Sequence, residues 1–322
     1  MESPKVSVVI PTYNNVGVLP DTLAPVLADD ATGEVVVVVD GSHDGSIELL
    51  ETMAARDQRL RPFWIENRGM QGARQYALEH ARHDIVLMLD ADVVPTRDMV
   101  SGHAAWHADG VDRLVVGYMP PRMGPKRAGS FVLERYTALY EEACADFAAD
   151  PSQILVHMWA GNVSAPKRKI ESAGGHVGGI KVRYMEDIEL VLRLAETGVT
   201  PVFDRTLVAE HRLQRTVAGA FKTAQDYGDD LVRMARRYPG RIAQPGWHSD
   251  GPGDALRRFS RRPRGLALVR TVGRPALAAS GRLRLWSLEW KISRALDGVE
   301  IQQGMMRATR ALDGSGSAPT KR

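Results

Sequence analysis

Short apolar runs rich in β-branched residues alternate with segments of helical spacing through the first part of the chain. Lys5–Ile10, Glu34–Val39, Pro62–Ile65 and Ile85–Leu89 read as strands. Between them, Leu19–Leu27, Ser46–Ala55 and Gly72–Ala81 place apolar residues three and four positions apart, which predicts helices, and Asp44-Gly45-Ser46 offers capping groups to the second. Strand and helix in alternation predict a parallel, doubly wound α/β sheet. Ligands of such sheets sit beyond the carboxyl ends of the strands. Four of those ends carry polar groups: Thr12-Tyr13-Asn14, Asp40-Gly41-Ser42, Asn67-Arg68-Gly69 and Asp90-Ala91-Asp92.

Two further segments add chemistry. Tyr184 to Leu194 reads as the start of an amphipathic helix with Leu190 and Leu194 on its buried side and Glu186 and Asp187 in its first turn, where the helix dipole also favours acids. Pro201 to Arg212 is a strand-like run containing His211. Asp-x-Asp is short, and Asp90-Ala91-Asp92 alone also reads as a solvated turn. As a site, the pair suits a hard divalent cation such as Mg²⁺ or Mn²⁺, which prefers carboxylate oxygens and keeps positions open for substrate phosphates. No Gly-x-Gly-x-x-Gly follows the first strand and no Gly-x-x-x-x-Gly-Lys-Ser/Thr loop occurs, so dehydrogenase and P-loop readings fall away.

Composition narrows the picture further. With 322 residues, 44% hydrophobic and 25% charged, the chain is globular material for one large domain with an appendage or for two domains. A lone cysteine, Cys144, excludes an internal disulfide, and no stretch approaches the roughly 20 apolar residues of a spanning helix. The start enters a strand-like run without a charged-then-apolar leader, which gives the expectation of a cytoplasmic protein. Charge is uneven: residues 251–322 hold 15 Lys/Arg against 5 Asp/Glu, or +10, leaving −7 for residues 1–250.

In order and spacing, Val6-Ser-Val-Val-Ile-Pro-Thr-Tyr-Asn14, Val36-Val-Val-Val-Asp-Gly-Ser-His-Asp-Gly45, Asn67-Arg-Gly-Met-Gln-Gly-Ala-Arg74, Leu89-Asp-Ala-Asp92, Ala160-Gly-Asn162 and Glu186-Asp-Ile-Glu-Leu190 resemble glycosyltransferase family 2. The resemblance covers residues 5 to about 215 and implies a GT-A fold, in which nucleotide-binding and acceptor-binding halves share one mixed, mostly parallel sheet flanked by helices. It implies an inverting, metal-dependent transfer from a nucleotide-sugar, UDP-linked by family habit, to a hydroxyl of a carbohydrate, lipid-linked or small-molecule acceptor. Pro11, Thr12 and Tyr13 would line the nucleotide pocket with Tyr13 stacking on the base. Asp40 would accept the base N–H, Arg74 would lie near base or diphosphate, and Asp90 near the ribose. Asp92 and His211 would hold Mn²⁺ or Mg²⁺, Asp187 would be the catalytic base, and Glu186 would shape its pocket. Two positions depart from the family: Val39 stands where a second aspartate is common, and His176-Val177 replace an aromatic-acidic pair.

The expected organisation is a catalytic domain over 1–215, divided near residue 100, a helix and linker over 216–250, and a basic helical extension over 251–322 with a disordered end. Thr216–Tyr238 reads as a helix with Val217, Phe221, Leu231 and Met234 available for packing on the catalytic domain, and Pro245–Gly253 as linker. Leu283, Trp286 and Trp290 among Arg282, Arg284, Lys291 and Arg294 read as an interfacial helix on an anionic leaflet at the inner face of the plasma membrane, or as a stripe packed on protein. The tail lacks a nucleic-acid-binding module, and a homo-oligomer is compatible with the sequence. Three other activities share parts of the pattern. A haloacid-dehalogenase-like phosphatase would place Asp-x-Asp on its first strand, a nucleotidyltransferase would show a Gly-rich basic loop near Pro11, and a non-catalytic derivative would lack Asp92 or Asp187.

Overall fold

The computed structural model describes residues 3–242 and 254–315. They form two compact units: Met1–Arg122, Leu139–Lys181 and Glu186–Leu213 make the first, and Met123–Ala138, Val182–Met185 and Gln214–Arg322 the second. The first unit contains, in chain order, β1 (Val6–Thr12), α1 (Leu19–Leu27), β2 (Thr32–Asp40), α2 (Ser46–Ala54), β3 (Leu60–Ile65), α3 (Gly69–His80), β4 (Ile85–Leu89), β5 (Val93–Pro95), α4 (Met99–Ala105) and β6 (Arg113–Tyr118). The second half of α5 (Phe131–Ala149) follows, then β7 (Asn162–Pro166), α6 (Lys167–Ser172), α7 (Glu186–Ala195) and β8 (Thr200–His211).

The sheet order is β3-β2-β1-β4-β7-β6-β8-β5. β1 through β4 are parallel, and every residue of β1 is buried, as expected for strands covered on both faces. Pro62 is accommodated because β3 is the edge strand. β7 reverses direction: it runs antiparallel to β4 with Leu89 opposite Asn162, and antiparallel to β6. β6 and β8 are parallel, and the short β5 runs antiparallel to β8. One consequence of the reversal is that the start of β7 arrives beside the end of β4. The core joins Val9, Val36, Val38, Val86 and Met88 of the sheet to Ala73, Ala77 and Leu78 of α3. Arg74 lies on the same buried face of α3 as these small residues, so the helix delivers a guanidinium toward the sheet rim. The periodic elements thus form where expected; β3 begins two residues before Pro62 and α3 three before Gly72, once tertiary contacts supply what local pattern lacks.

The second unit is helical: α8 (Val217–Arg237), α9 (Asp254–Ser260), α10 (Pro263–Arg282) and α11 (Trp286–Ser315), with the first half of α5. Its core gathers Phe131, Val132, Phe221, Val269, Leu277, Leu296 and Val299. Val232 of α8 packs with Met305 and Ala308 of α11. Trp290 packs against the first of these clusters, so it belongs to the protein interior and not to an exposed stripe. The linker expected over Pro245–Gly253 and the end expected beyond Ser315 lie outside the described residues. Buried Glu300 pairs with Arg270 at 2.5 Å and Arg274 at 3.2 Å. Burial pushes the Glu300 carboxyl up, but hydrogen bonds from Arg270 and Gln225 outweigh it and hold the group below its usual range.

Asp230 of α8 is buried and accepts the backbone N–H groups of Arg183, Tyr184 and Met185 at 2.9, 2.7 and 3.1 Å. These are the three residues that precede Glu186 in the chain. Asp230→Ala leaves three donors without an acceptor and should cost on the order of 3 kcal/mol. A urea midpoint within error of the wild type would show that these bonds are replaced by water at no cost.

Candidate active site

The ends of β1 and β2 build the first part of the rim. Pro11 and Thr12 close β1, and Asn14, at φ +55°, turns the chain in the left-handed conformation that asparagine tolerates. Tyr13 is left 54% exposed, open to a stacking partner. Asp40 closes β2; its Oδ1 accepts the Arg68 N–H at 2.7 Å and its carbonyl accepts Asn67 Nδ2 at 3.0 Å. The close approach requires Gly41, where φ is +76° and a Cβ would stand 2.8 Å from that of Asn67. Two hydroxyls of this rim, Thr12 Oγ1 and Ser42 Oγ, are buried and have no hydrogen-bond partner among the described residues. A buried hydroxyl left unpaired is costly, and polar ligand atoms would relieve both. Beside β2, the Trp64 indole donates to the Ser42 carbonyl at 3.2 Å.

The second part is organised by Arg74. Its side chain is 4% exposed and spans two carboxylates, with Nη2 2.8 Å from Asp90 Oδ1 and Nη1 2.5 Å from Asp187 Oδ1. The other oxygen of Asp187 accepts the Ala160 N–H at 3.0 Å. Burial works against the charged guanidinium, but Asp187, Asp90 and Glu186 outweigh it and raise its pKa, so Arg74 stays a cation. For Asp90, burial pushes the carboxyl up, Arg74 draws it back, and Asp187 and Asp92 add to the rise. The Asp90 N–H donates to the Gly161 carbonyl at 3.2 Å. A Cβ on Gly161 would stand 2.7 Å from both Asp90 Oδ2 and Met119 Sδ, so the position has room for no side chain.

The third part lies one residue along. Asp92 precedes β5 and His211 ends β8; Val93 is paired with His211, and the Arg212 N–H donates to the Asp92 carbonyl at 2.8 Å. His211 Nε2 and Asp92 Oδ2 are 3.5 Å apart. Among the described residues no group of three or more His, Cys, Asp or Glu side chains converges as a metal site. A carboxylate and an imidazole this close nevertheless fit a hexacoordinate Mn²⁺ or Mg²⁺ that takes its remaining ligands from water and substrate phosphates.

Sequence reasoning missed a buried polar network behind the rim. His103 of α4 places Nε2 2.9 Å from Asn162 Oδ1 and Nδ1 2.9 Å from Ser164 Oγ, while His107 Nε2 is 2.8 Å from the same hydroxyl. Asn162 Nδ2 donates to the Leu207 carbonyl at 2.9 Å, which leaves its Oδ1 to accept from His103. In neutral His103 the Nδ1 then accepts from Ser164, whose oxygen accepts from His107 Nε2. The one available signal was the four-residue spacing of the histidines; their partners are about sixty positions away. The network fixes the start of β7, the strand that follows Ala160 and Gly161. His176, at one of the departing positions, is also buried, its Nε2 has no partner among the described residues, and burial beside Arg74 and Arg193 pushes its pKa down to about 3.

The model of the family described as Glycosyl transferase family 2 matches residues 7–154. The uncharacterized glycosyltransferase YfnE of Bacillus subtilis is 32% identical over 148 residues, covering 45% of this chain and 36% of that protein. The undecaprenyl-phosphate 4-deoxy-4-formamido-L-arabinose transferase of Shewanella sediminis is 35% identical over 115 residues, 34% of this chain and 35% of the relative. The match spans about a third of the length of these curated relatives. Among solved structures, the mannosyltransferase PcManGT of Pyrobaculum calidifontis in complex with GDP-Man and Mn²⁺ has a TM-score of 0.61 at 21% identity, covering 94% of this chain and 87% of that one. TarS 1–349 of S. aureus with UDP-GlcNAc gives 0.51 at 14% identity, with coverage of 95% and 92%. The mixed sheet flanked by helices is the GT-A fold. The family match thus covers residues 7–154, and the fold is that of GT-A glycosyltransferases. Glu186, Asp187 and His211 lie beyond the matched residues.

The histidine pair makes a pH prediction. Burial pushes both His103 and His107 from 6.5 down to about 4. Below pH 6.5 the unfolded chain binds protons that the native state refuses, so the stability these groups contribute is lost as pH falls from 6.5 toward 4. Denaturation of His103→Asn with His107→Gln across that range should show a visibly flatter pH dependence; an unchanged slope would remove the pair as its source.

Proposed function

We propose that the protein transfers a sugar from a nucleotide-sugar donor to an acceptor hydroxyl with inversion, with Asp187 as base. The observation that carries this reading is the Arg74 bridge, which holds Asp90 of the nucleotide rim and Asp187 of α7 on one guanidinium. Pro11, Thr12, Tyr13 and Asp40 surround the nucleotide, with Tyr13 on the base and Thr12 and Ser42 supplying unused hydroxyls. Glu186 adds negative potential beside Arg74. Residues 1–215 constitute the catalytic domain, with residues 216–250 and 251–322 as additions to it. In the reaction the acceptor oxygen bonds to the anomeric carbon as the bond to the diphosphate breaks, and its proton passes to Asp187. A divalent cation, Mn²⁺ or Mg²⁺, held by Asp92 and His211 would supply Lewis-acid neutralisation of charge on the departing diphosphate. UDP is the family-typical donor base, and GDP-Man in the Pyrobaculum enzyme makes guanosine the alternative to test.

A second acceptor chemistry is favoured by the relative whose name is that of an undecaprenyl-phosphate transferase. A phosphate oxygen is already ionised at neutral pH and needs no base. Asp187 would then serve through Arg74, consistent with both of its oxygens being engaged.

Thermal unfolding with UDP, GDP, TDP or CMP, each with and without Mn²⁺, tests the donor site. One nucleotide should raise Tm in a Mn²⁺-dependent way, by a few degrees for the ~2.7 kcal/mol expected at 100 times its Kd, and Asp92→Asn should abolish the shift. No shift with any nucleotide would overturn the assignment. Asp187→Asn then separates the acceptors: turnover should fall by about 10²–10⁴ with a hydroxyl acceptor, and by much less with a lipid phosphate, with Tm measured alongside.

A further inference from the structure

Nine arginines and no aspartate or glutamate occur between Ala255 and Leu288. Arg270 and Arg274 pair with Glu300, whereas Arg258, Arg262, Arg264, Arg282 and Arg284 are exposed. Apolar side chains crowd the same segment. Of the sixteen large hydrophobic residues exposed among the described residues, six fall here: Phe259, Leu268, Val272, Leu283, Leu285 and Leu288. Leu268 and Val272 stand one turn apart on α10, and Leu283, 68% exposed, continues their line past the helix end. Of the three apolar residues that the sequence offered either to a leaflet or to packing on protein, Leu283 lies on this face. Trp290 packs on the core, and Trp286 is partly buried with Lys126 Nζ 5.6 Å from its ring centroid.

Exposed aliphatic groups beside cations, with no acids among them, call for a partner that is apolar inside and anionic at its surface. We infer that this face of the second unit, from Arg258 to Leu288, docks peripherally on an anionic bilayer leaflet. Leu268, Val272 and Leu283 reach the acyl boundary and the arginines bind headgroup phosphates. Nucleic acid would engage the arginines but leave the leucines in water. No helix among the described residues is long and apolar enough to cross a membrane, so the contact is interfacial. The inference stands apart from the catalytic reading, since an inactive chain would bind equally.

The test is co-sedimentation of the full chain with vesicles of phosphatidylcholine, alone or mixed with phosphatidylglycerol, at low and high salt. Binding should require phosphatidylglycerol and survive in part at high salt. Arg262→Glu with Arg264→Glu and Arg284→Glu should weaken it by about a hundredfold. Leu268→Ser with Val272→Ser and Leu283→Ser, all exposed and so expected to keep the wild-type Tm, should weaken it by about tenfold or more. Unchanged binding by the aliphatic variant, or no binding by the wild type, would overturn the proposal. So would tighter binding of a single-stranded RNA oligonucleotide that the aliphatic variant retains.

Discussion

A buried arginine between two carboxylates is the constraint on which the candidate site depends. A guanidinium that loses its water needs compensating negative charge in good geometry, because the desolvation of one ion costs several kcal/mol. Arg74 finds it in Asp90, sixteen residues on, and Asp187, over a hundred residues on. For Asp90, that cation works against burial and against the charges of Asp187 and Asp92. Three elements are tied by the arrangement: α3, which carries the arginine, the end of β4, and the start of α7. Ala160 enters as a fourth support through its N–H. Removing any member would leave the rest with uncompensated charge, which makes the rim a cooperative object.

Much of the first unit was legible because its information is local. Runs such as Val35–Val39 can only be strands buried on both faces, and Leu19, Leu23 and Val26 recur at helical spacing and are all buried. The rim acids were legible too, since polar groups after buried strands mark a ligand edge in α/β sheets. What remained hidden was pairing at long range. No period announces that β7 runs backwards, that Arg74 reaches Asp187, or that His103 of α4 and His107 just beyond it close on Asn162 and Ser164. The tail stayed ambiguous for a different reason. Trp286 and Trp290 carry the same apolar signal whether they face water or protein, and only the packing of α11 decides between them.

Both units pair the polar groups they bury. In the first, β-branched residues stack on both faces of the sheet, while Glu34 meets Ser7 and Arg61, and Ser164 meets His103 and His107. In the second, helices carry acids into partly apolar surroundings and satisfy each with several donors: Glu300 with two arginines and Gln225, Asp230 with three backbone N–H groups. Such polar junctions fix the relative placement of the elements they join more narrowly than aliphatic contacts alone.

Strand β5 is three residues long, and its pairing with β8 is what sets Asp92 against His211. The ladder does not stand alone: Thr96 donates its N–H and its hydroxyl to the Val208 carbonyl, and Thr22 donates to the carbonyl of Ala91. An ion bridging Asp92 and His211 would join the ends of β5 and β8 a second time, so its affinity would include the free energy of keeping one short strand paired.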